Sequence, residues 1–219
     1  MMSARIRVVL VDDHQMLLEA LALRVGNDTE IEIVGTAGNG DDALQRIRDL
    51  RPDIAVLDVD IPGRGSFDIA SELVSRQHET RFIFLTSYLT DVFIAQALKV
   101  KAQGYLMKGE PVNVLIDGIK RVHRGEICFS QEVVQRLVYD SSRNQYTVRS
   151  ESRLVSLTGR QLEVLRHLAR GQSVKEVARA MHLSEKSVDS HKYRIMHKLG
   201  IHDRVELARY AIREGLTLP

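Results

Sequence analysis

The chain has 219 residues, 44% hydrophobic and 27% charged, enough to bury a core and to form two small domains. A single cysteine, Cys128, excludes an internal disulfide framework and a Cys-rich zinc site, and fits a reducing compartment. The net charge of +2 conceals an asymmetry: residues 1–140 carry 16 Lys and Arg against 21 Asp and Glu (net −5), and residues 141–219 carry 15 against 8 (net +7). An acidic first part joined to a basic last part points to two partners, the second polyanionic. No apolar run reaches the roughly 18–20 residues that span a bilayer. The start, Met1 to Arg7, leads straight into strand-like sequence without a signal-peptide apolar region. A cytoplasmic protein with no membrane partner is expected.

In chain order, residues 6–11 form a β-branched run that predicts a strand, and 17–25 repeat apolar residues at helical spacing. Strands are then predicted at 31–36, 54–57, 82–85 and 105–107. Helices are predicted at 41–50, 69–74, 92–100 and 112–122, the last closed by Gly125. Five strand–helix units in alternation predict a parallel sheet. Residues 130–139 read as a short helix, and 140–153 are polar and aperiodic, the signature of a linker. The remainder shows four capping signals, each opening a helical pattern: Thr158 with Gln161, Ser173 with Glu176, Ser184, and Asp203 with Glu206. The expected division is a first domain over 1–127, a linker over 128–154 and a small all-α domain over 155–219.

In an open parallel sheet, ligands bind at the carboxyl ends of the strands. Asp12 and Asp13 follow the first strand, Asp58 follows the third, Thr86 ends the fourth and Lys108 follows the fifth. Three carboxylates brought together repel one another, and a hard divalent cation such as Mg²⁺ relieves that repulsion. A hydroxyl and an ammonium beside it suit the oxygens of a phosphoryl group.

The stretches Val8-Val9-Leu10-Val11-Asp12-Asp13-His14, Val56-Leu57-Asp58-Val59-Asp60-Ile61-Pro62-Gly63, Phe84-Leu85-Thr86-Ser87 and Gly104-Tyr105-Leu106-Met107-Lys108 resemble the receiver domain of two-component response regulators over residues ~5–125. The resemblance implies a flavodoxin-like (βα)5 fold with strand order 2-1-3-4-5. It also implies roles. Asp58 takes phosphate from a histidine kinase. Asp12, Asp13, Asp58 and the backbone carbonyl of Asp60 bind Mg²⁺. Thr86 and Tyr105 reorient when phosphate arrives, and Lys108 pairs with a phosphate oxygen. Two departures stand out: Gly63-Arg64-Gly65-Ser66 replaces the frequent Gly-x-Asp-Gly, and Gly109 stands where many receivers have proline. Both bear on loop geometry and phosphate lifetime.

Two rival readings are weaker. Asp58-Val59-Asp60 looks like the Asp-x-Asp of aspartyl-phosphate phosphatases, but that family expects an acidic pair after the lysine, and here the pair precedes the nucleophile. Gly38-Asn39-Gly40-Asp41-Asp42-Ala43 fits a dinucleotide fingerprint, but two aspartates at a helix start repel a pyrophosphate. A tight strand-to-helix turn is the better reading. The eight histidines form no tight metal-type cluster.

Residues 173–199 have the anatomy of a helix-turn-helix. In its second helix Val188, Ile195 and Leu199 make an inward stripe, while Lys186, Asp189, Ser190, Tyr193 and His197 face outward. Ser184 caps the helix, and Lys192, Arg194 and Lys198 bring charge for phosphates. Leu157-Thr158-Gly159-Arg160-Gln161-Leu162-Glu163-Val164-Leu165, Gly171-Gln172-Ser173-Val174-Lys175-Glu176-Val177-Ala178, Leu183-Ser184-Glu185-Lys186-Ser187-Val188-Asp189-Ser190-His191 and Lys198-Leu199-Gly200 resemble the LuxR-type DNA-binding domain. Ser187 and His191 join the DNA-facing set on that basis. Asp189 stands where Lys is frequent, so the DNA sequence read is its own.

The combination is similar to NarL/FixJ-type response regulators. It implies a transcription regulator and not an enzyme, phosphorylated by a histidine kinase and binding double-stranded DNA as a dimer, with residues 205–212 as the dimer surface. The alternative within the same architecture is a DNA-binding regulator that works without phosphorylation. Charge asymmetry further predicts that the acidic domain covers the basic one and competes with DNA.

Overall fold

The runs at 6–11, 54–57 and 81–86 become strands buried on both faces, as in sheets flanked by helices, while the run at 31–37 forms a half-buried edge strand. The computed structural model describes residues 4–141, 145–148 and 152–217. β1 (Ile6–Val11), β2 (Ile31–Ala37), β3 (Ile54–Leu57), β4 (Arg81–Thr86) and β5 (Gly104–Met107) alternate with α1 (Gln15–Gly26), α2 (Gly40–Leu50), α3 (Ser66–Ser75), α4 (Asp91–Lys99) and α5 (Val112–His123). All strand pairs in this sheet are parallel, in the order β2-β1-β3-β4-β5 continued by a sixth strand, β6 (Cys128–Phe129). Alternate residues separate two cores. Val9, Val11, Ala55, Leu57, Phe82 and Phe84 pack toward α2, α3 and α4, and Val8, Leu10, Ile54, Val56, Ile83 and Leu85 toward α1 and α5.

The sheet therefore runs one strand beyond the expected edge at residue 127. Cys128 pairs with Gly104 and Phe129 with Tyr105, and two residues are too few to show any periodicity. The stretch expected to be an aperiodic linker is also ordered where it is described. A short helix, α6 (Gln131–Val134), leads into an antiparallel hairpin of β7 (Leu137–Asp140) and β8 (Gln145–Val148). Tyr139 and Tyr146 meet edge to face across the hairpin at 5.5 Å. The rest of the expected linker, residues 142–144 and 149–151, lies outside the described residues.

A 3-10 turn, Arg153–Ser156, opens the second unit of α7 (Gly159–Ala169), α8 (Val174–Ala180), α9 (Glu185–Leu199) and α10 (Arg204–Arg213). The capping signals hold. Thr158 with Gln161 and Ser173 with Glu176 each form a full capping box, and Ser184 and Asp203 accept from the amides of Ser187 and Glu206. Caps of this kind each stabilise by about 1 kcal/mol. Val188, Ile195 and Leu199 are all buried, as their spacing requires.

The two units dock. The core on the α2–α4 side of the sheet continues into Leu154, Leu157, Leu162 and Leu165. Buried Gln96 on α4 donates to the Leu157 carbonyl at 2.9 Å, and Lys99 donates to the Val155 carbonyl at 2.8 Å. Among the described residues no helix is long and apolar enough to cross a membrane.

Candidate functional site

The sheet ladder carries past the strand ends and fixes the acidic residues. The Asp58 amide donates to the Val11 carbonyl and the Lys108 amide to the Thr86 carbonyl, each at 2.9 Å. Asp12 and Asp58 are both buried. Lys108 Nζ lies 2.7 Å from Asp12 Oδ2 and 2.8 Å from Asp58 Oδ2. Burial by itself would lower the Lys108 pKa, but its hydrogen bonds to Asp12 and Asp58 outweigh that and raise it. His14 Nδ1 stands 2.9 Å from Asp13 Oδ1 and 3.2 Å from Asp12 Oδ1. One ammonium thus pairs with two of the three carboxylates. Burial pushes the Asp58 carboxyl up to about 6, against the pull of Lys108 and with the charge of Asp12 adding to the rise. Ligand atoms of Asp12, Asp13, His14 and Asp58 lie within 4.8 Å of one another. Hard oxygen donors with excess negative charge suit a small divalent cation. The Asp58 carbonyl is held from below by the Ser66 hydroxyl.

Thr86 and Tyr105 are buried and converge on one residue that the sequence did not single out. The Tyr88 amide donates to Thr86 Oγ1 at 3.2 Å, and the Tyr105 hydroxyl donates to the Tyr88 carbonyl at 2.6 Å. Burial, reinforced by the charge of Asp58, raises the Tyr105 phenol well above its usual range. The Tyr88 hydroxyl in turn donates to Asp60 Oδ2 at 3.2 Å. The resemblance gave Asp60 only a backbone role, yet its side chain is the meeting point of the two domains. It pairs with Arg166 of α7, and at 3.0 Å with Arg170, the residue that caps the C-terminus of that helix. Burial would raise the Asp60 carboxyl, but the two guanidiniums and the Tyr88 hydroxyl hold it below the usual range. The Arg166 guanidinium lies over the Tyr88 ring at 4.8 Å and the Phe93 ring at 5.5 Å. Arginines four apart on a helix carry no sequence signal of this kind.

The unusual loop after β3 is the second contact. Glu163 of α7 lies on Gly65: a Cβ there would sit 1.1 Å from Glu163 Oε1. Arg160 spans the junction, donating to Glu163 Oε2 at 2.9 Å and to the Gly63 carbonyl at 3.2 Å. The same loop settles the glycine-rich segment before α2. The Gly40 amide donates to the Pro62 carbonyl at 2.9 Å, and a Cβ on Gly40 would lie 1.6 Å from the Arg64 carbonyl oxygen. That glycine serves loop packing, and Asn39 caps α2 by accepting from the Asp42 amide.

On α9, Lys186, Asp189, Ser190, Tyr193, Arg194 and His197 are exposed, Tyr193 at 71%. Tyr193 and His197 stack at 6.5 Å, and Lys192 donates to Asp189 Oδ1 at 2.6 Å. Ser184 and Ser187 share a hydrogen bond of 2.8 Å at the helix start. Two of the DNA-facing set point elsewhere. His191 has a buried Nδ1, and burial together with nearby Arg160 lowers its pKa. Lys198 donates to the Ser156 carbonyl and to Gln161 Oε1, both at 2.9 Å. The acidic domain docks on the basic one without covering the outer face of α9. Docking engages α7 and the 3-10 turn, because there the carboxylates of Asp60 and Asp68 meet arginines, and it leaves the outer face of α9 open.

Residues 8–120 match the family model of the response regulator receiver domain, and residues 155–211 match that of the bacterial regulatory proteins of the luxR family. The chain belongs to the response regulators. The oxygen regulatory protein NreC of Staphylococcus aureus is 30% identical to this regulator over 213 residues, which cover 96% of this chain and 98% of NreC. The transcriptional regulatory protein YxjL of Bacillus subtilis is 29% identical over 213 residues, 97% of this chain and 98% of YxjL. In fold, the regulator is similar to the Salmonella typhimurium response regulator RcsB, with a TM-score of 0.70 at 19% identity over 99% of this chain and 100% of that one. The receiver domain of NarL from Mycobacterium tuberculosis matches 57% of this chain over its whole length, with a TM-score of 0.55 and 27% identity. The regulator is thus a two-component transcription regulator with a receiver and a LuxR-type DNA-binding domain.

Proposed function

We propose that the regulator accepts a phosphoryl group on Asp58 from a histidine kinase and, so modified, binds double-stranded DNA as a dimer through α9. The observation that carries this is the gathering of Asp12, Asp13, Asp58, Thr86 and Lys108 at one sheet edge, with Asp58 held by Lys108 through a single oxygen. The other Asp58 oxygen attacks phosphorus. The bond from phosphorus to the kinase's histidine nitrogen breaks, and that nitrogen keeps the electron pair. The imidazole leaves neutral, its proton on the other ring nitrogen. Lys108 then neutralises charge on the acyl phosphate. Asp12, Asp13, Asp58 and the Asp60 carbonyl would hold Mg²⁺, which when bound neutralises phosphoryl oxygens. With acetyl phosphate as donor, intact-mass measurement should show one base-labile phosphoryl group on the wild type, dependent on a divalent cation, and none on Asp58→Asn. Full labelling of Asp58→Asn would move the acceptor elsewhere. An Asp58→Asn chain that regulates as wild type does would favour the phosphorylation-independent reading.

For DNA, the exposed face of α9 supplies both kinds of contact. Lys192→Ala should weaken all sequences alike and flatten the salt dependence of binding, whereas Asp189→Ala should change which sequence is preferred, since an aspartate accepts from a cytosine amine. Parallel binding titrations on a random-site pool and a selected site separate the two. Dimerisation falls to α10, where Leu207 and Ala211 point inward and Val205 is 59% exposed. Two copies give the paired reading that one short helix cannot.

A further inference from the structure

Tyr88 is gripped from both sides. Its amide and carbonyl are held by Thr86 and Tyr105 of the receiver, and its ring and hydroxyl are held by Arg166 and Asp60. Arg166 is 3% exposed, so its guanidinium needs the Asp60 carboxylate as a partner. Asp60 stands two residues beyond Asp58, and Arg170 adds a second cation to the same Oδ2. The DNA-binding domain therefore holds the receiver at two points on the rim of the phosphoacceptor pocket, the Tyr88 loop and the loop after β3.

We propose that Arg166 and Arg170 of the DNA-binding domain are positioning residues for phosphoryl transfer, acting through Asp60 and Tyr88, so that the docked domain slows acceptance of phosphate by Asp58. This rests on Asp58 being the acceptor. When a phosphoryl group forms on Asp58, Thr86 must turn its hydroxyl toward the new oxygens. That hydroxyl accepts from the Tyr88 amide, and Tyr88 cannot follow while Arg166 covers its ring and Asp60 holds its hydroxyl. The same contacts hold Asp60, two residues beyond Asp58, in place. At equilibrium the coupling is reciprocal: the closed state disfavours the phosphorylated form by as much as phosphorylation disfavours the closed state.

Arg170 is the residue to change, because it is half-exposed and its loss spares the buried Arg166. The full-length chain is treated with acetyl phosphate and Mg²⁺, and the initial rate of phosphoryl gain is followed by intact mass. Arg170→Gln should raise that rate about five-fold or more, a barrier lower by about 1 kcal/mol. Arg170→Lys, which keeps the charge on Asp60, should return it toward wild type. Small-angle scattering on the same samples reports whether the domains separate. A chain that opens with Arg170→Gln, is labelled on Asp58, and gains phosphate at the wild-type rate overturns the proposal. So does an unchanged rate in a chain that stays closed. If the label appears instead on an Arg170→Gln, Asp58→Asn double variant, the acceptor assignment fails and the proposal falls with it.

Discussion

Gly65→Asp is expected to open the regulator. The Cβ alone would overlap Glu163 Oε1 at 1.1 Å and Cδ at 2.1 Å. Glu163 cannot swing aside freely, since it is 16% exposed and tied to Arg160 at 2.9 Å. The new carboxylate would also face those of Glu163 and Asp68. Overpacking of a filled site costs about 1–3 kcal/mol, and at ~1.4 kcal/mol per factor of ten the closed-to-open ratio should fall roughly five- to hundred-fold. The receiver fold itself should tolerate the change, because receivers often carry Asp at this place in the loop. Small-angle scattering should show a larger radius of gyration, and hydrogen exchange should rise over α7 and α4, where Gln96 and Lys99 now bond to the second domain. Unchanged scattering and exchange would show that the Gly65 seat does not hold the domains together. Gly65→Ala, with the Cβ and no charge, should fall between the two and separates volume from repulsion.

Docking should also weaken as pH rises through neutrality. Burial pushes Glu163 up to about 7, with the charge of Asp68 adding to the rise and Arg160 opposing it, and burial raises Asp68 as well. In the open chain both carboxyls meet water and return to their ordinary range. The docked state therefore binds protons that the open state releases, so docking gains as pH falls from about 7 toward the ordinary carboxylate range and is weaker above it. One ionisation changes the equilibrium by at most about tenfold per pH unit. The groups around the pair are Arg64 from the loop after β3, Arg160 and Arg166 from α7, and His191 from α9. His191 works in the opposite sense: burial lowers its pKa, so protonating it below its ordinary 6.5 disfavours docking. The closed fraction should consequently fall as pH rises toward about 7 and level off above it, and Glu163→Gln should flatten that fall. A closed fraction independent of pH in the wild type, or a slope that survives Glu163→Gln, would assign the proton elsewhere.

The acidic pocket was legible because each of its members follows a buried strand. Once residues 8–11, 54–57, 82–86 and 104–107 are strands of one parallel sheet, the next polar residue must emerge at the carboxyl edge, so Asp12, Asp58, Thr86 and Lys108 meet without any further information. The helix boundaries of the second domain were legible for a similar local reason, since capping boxes lie within four residues of chain. The hairpin of β7 and β8 was not, because its four-residue strands are largely exposed and show no alternation of apolar residues.

Local periodicity and strand-end polarity thus determined the two domains, the acidic pocket and the reading helix. Only the tertiary structure decided how the domains face one another. The pairing of Asp60 with Arg170 joins residues 110 positions apart, and neither side chain carries a pattern that names the other. Tyr88 looks like an ordinary loop tyrosine until Arg166 is laid over its ring. Gly65 reads as a loop departure until Glu163 occupies the space that a side chain would need. These contacts depend on which faces of two folded domains meet, and that is set by the shape and charge of whole surfaces rather than by the order of neighbouring residues.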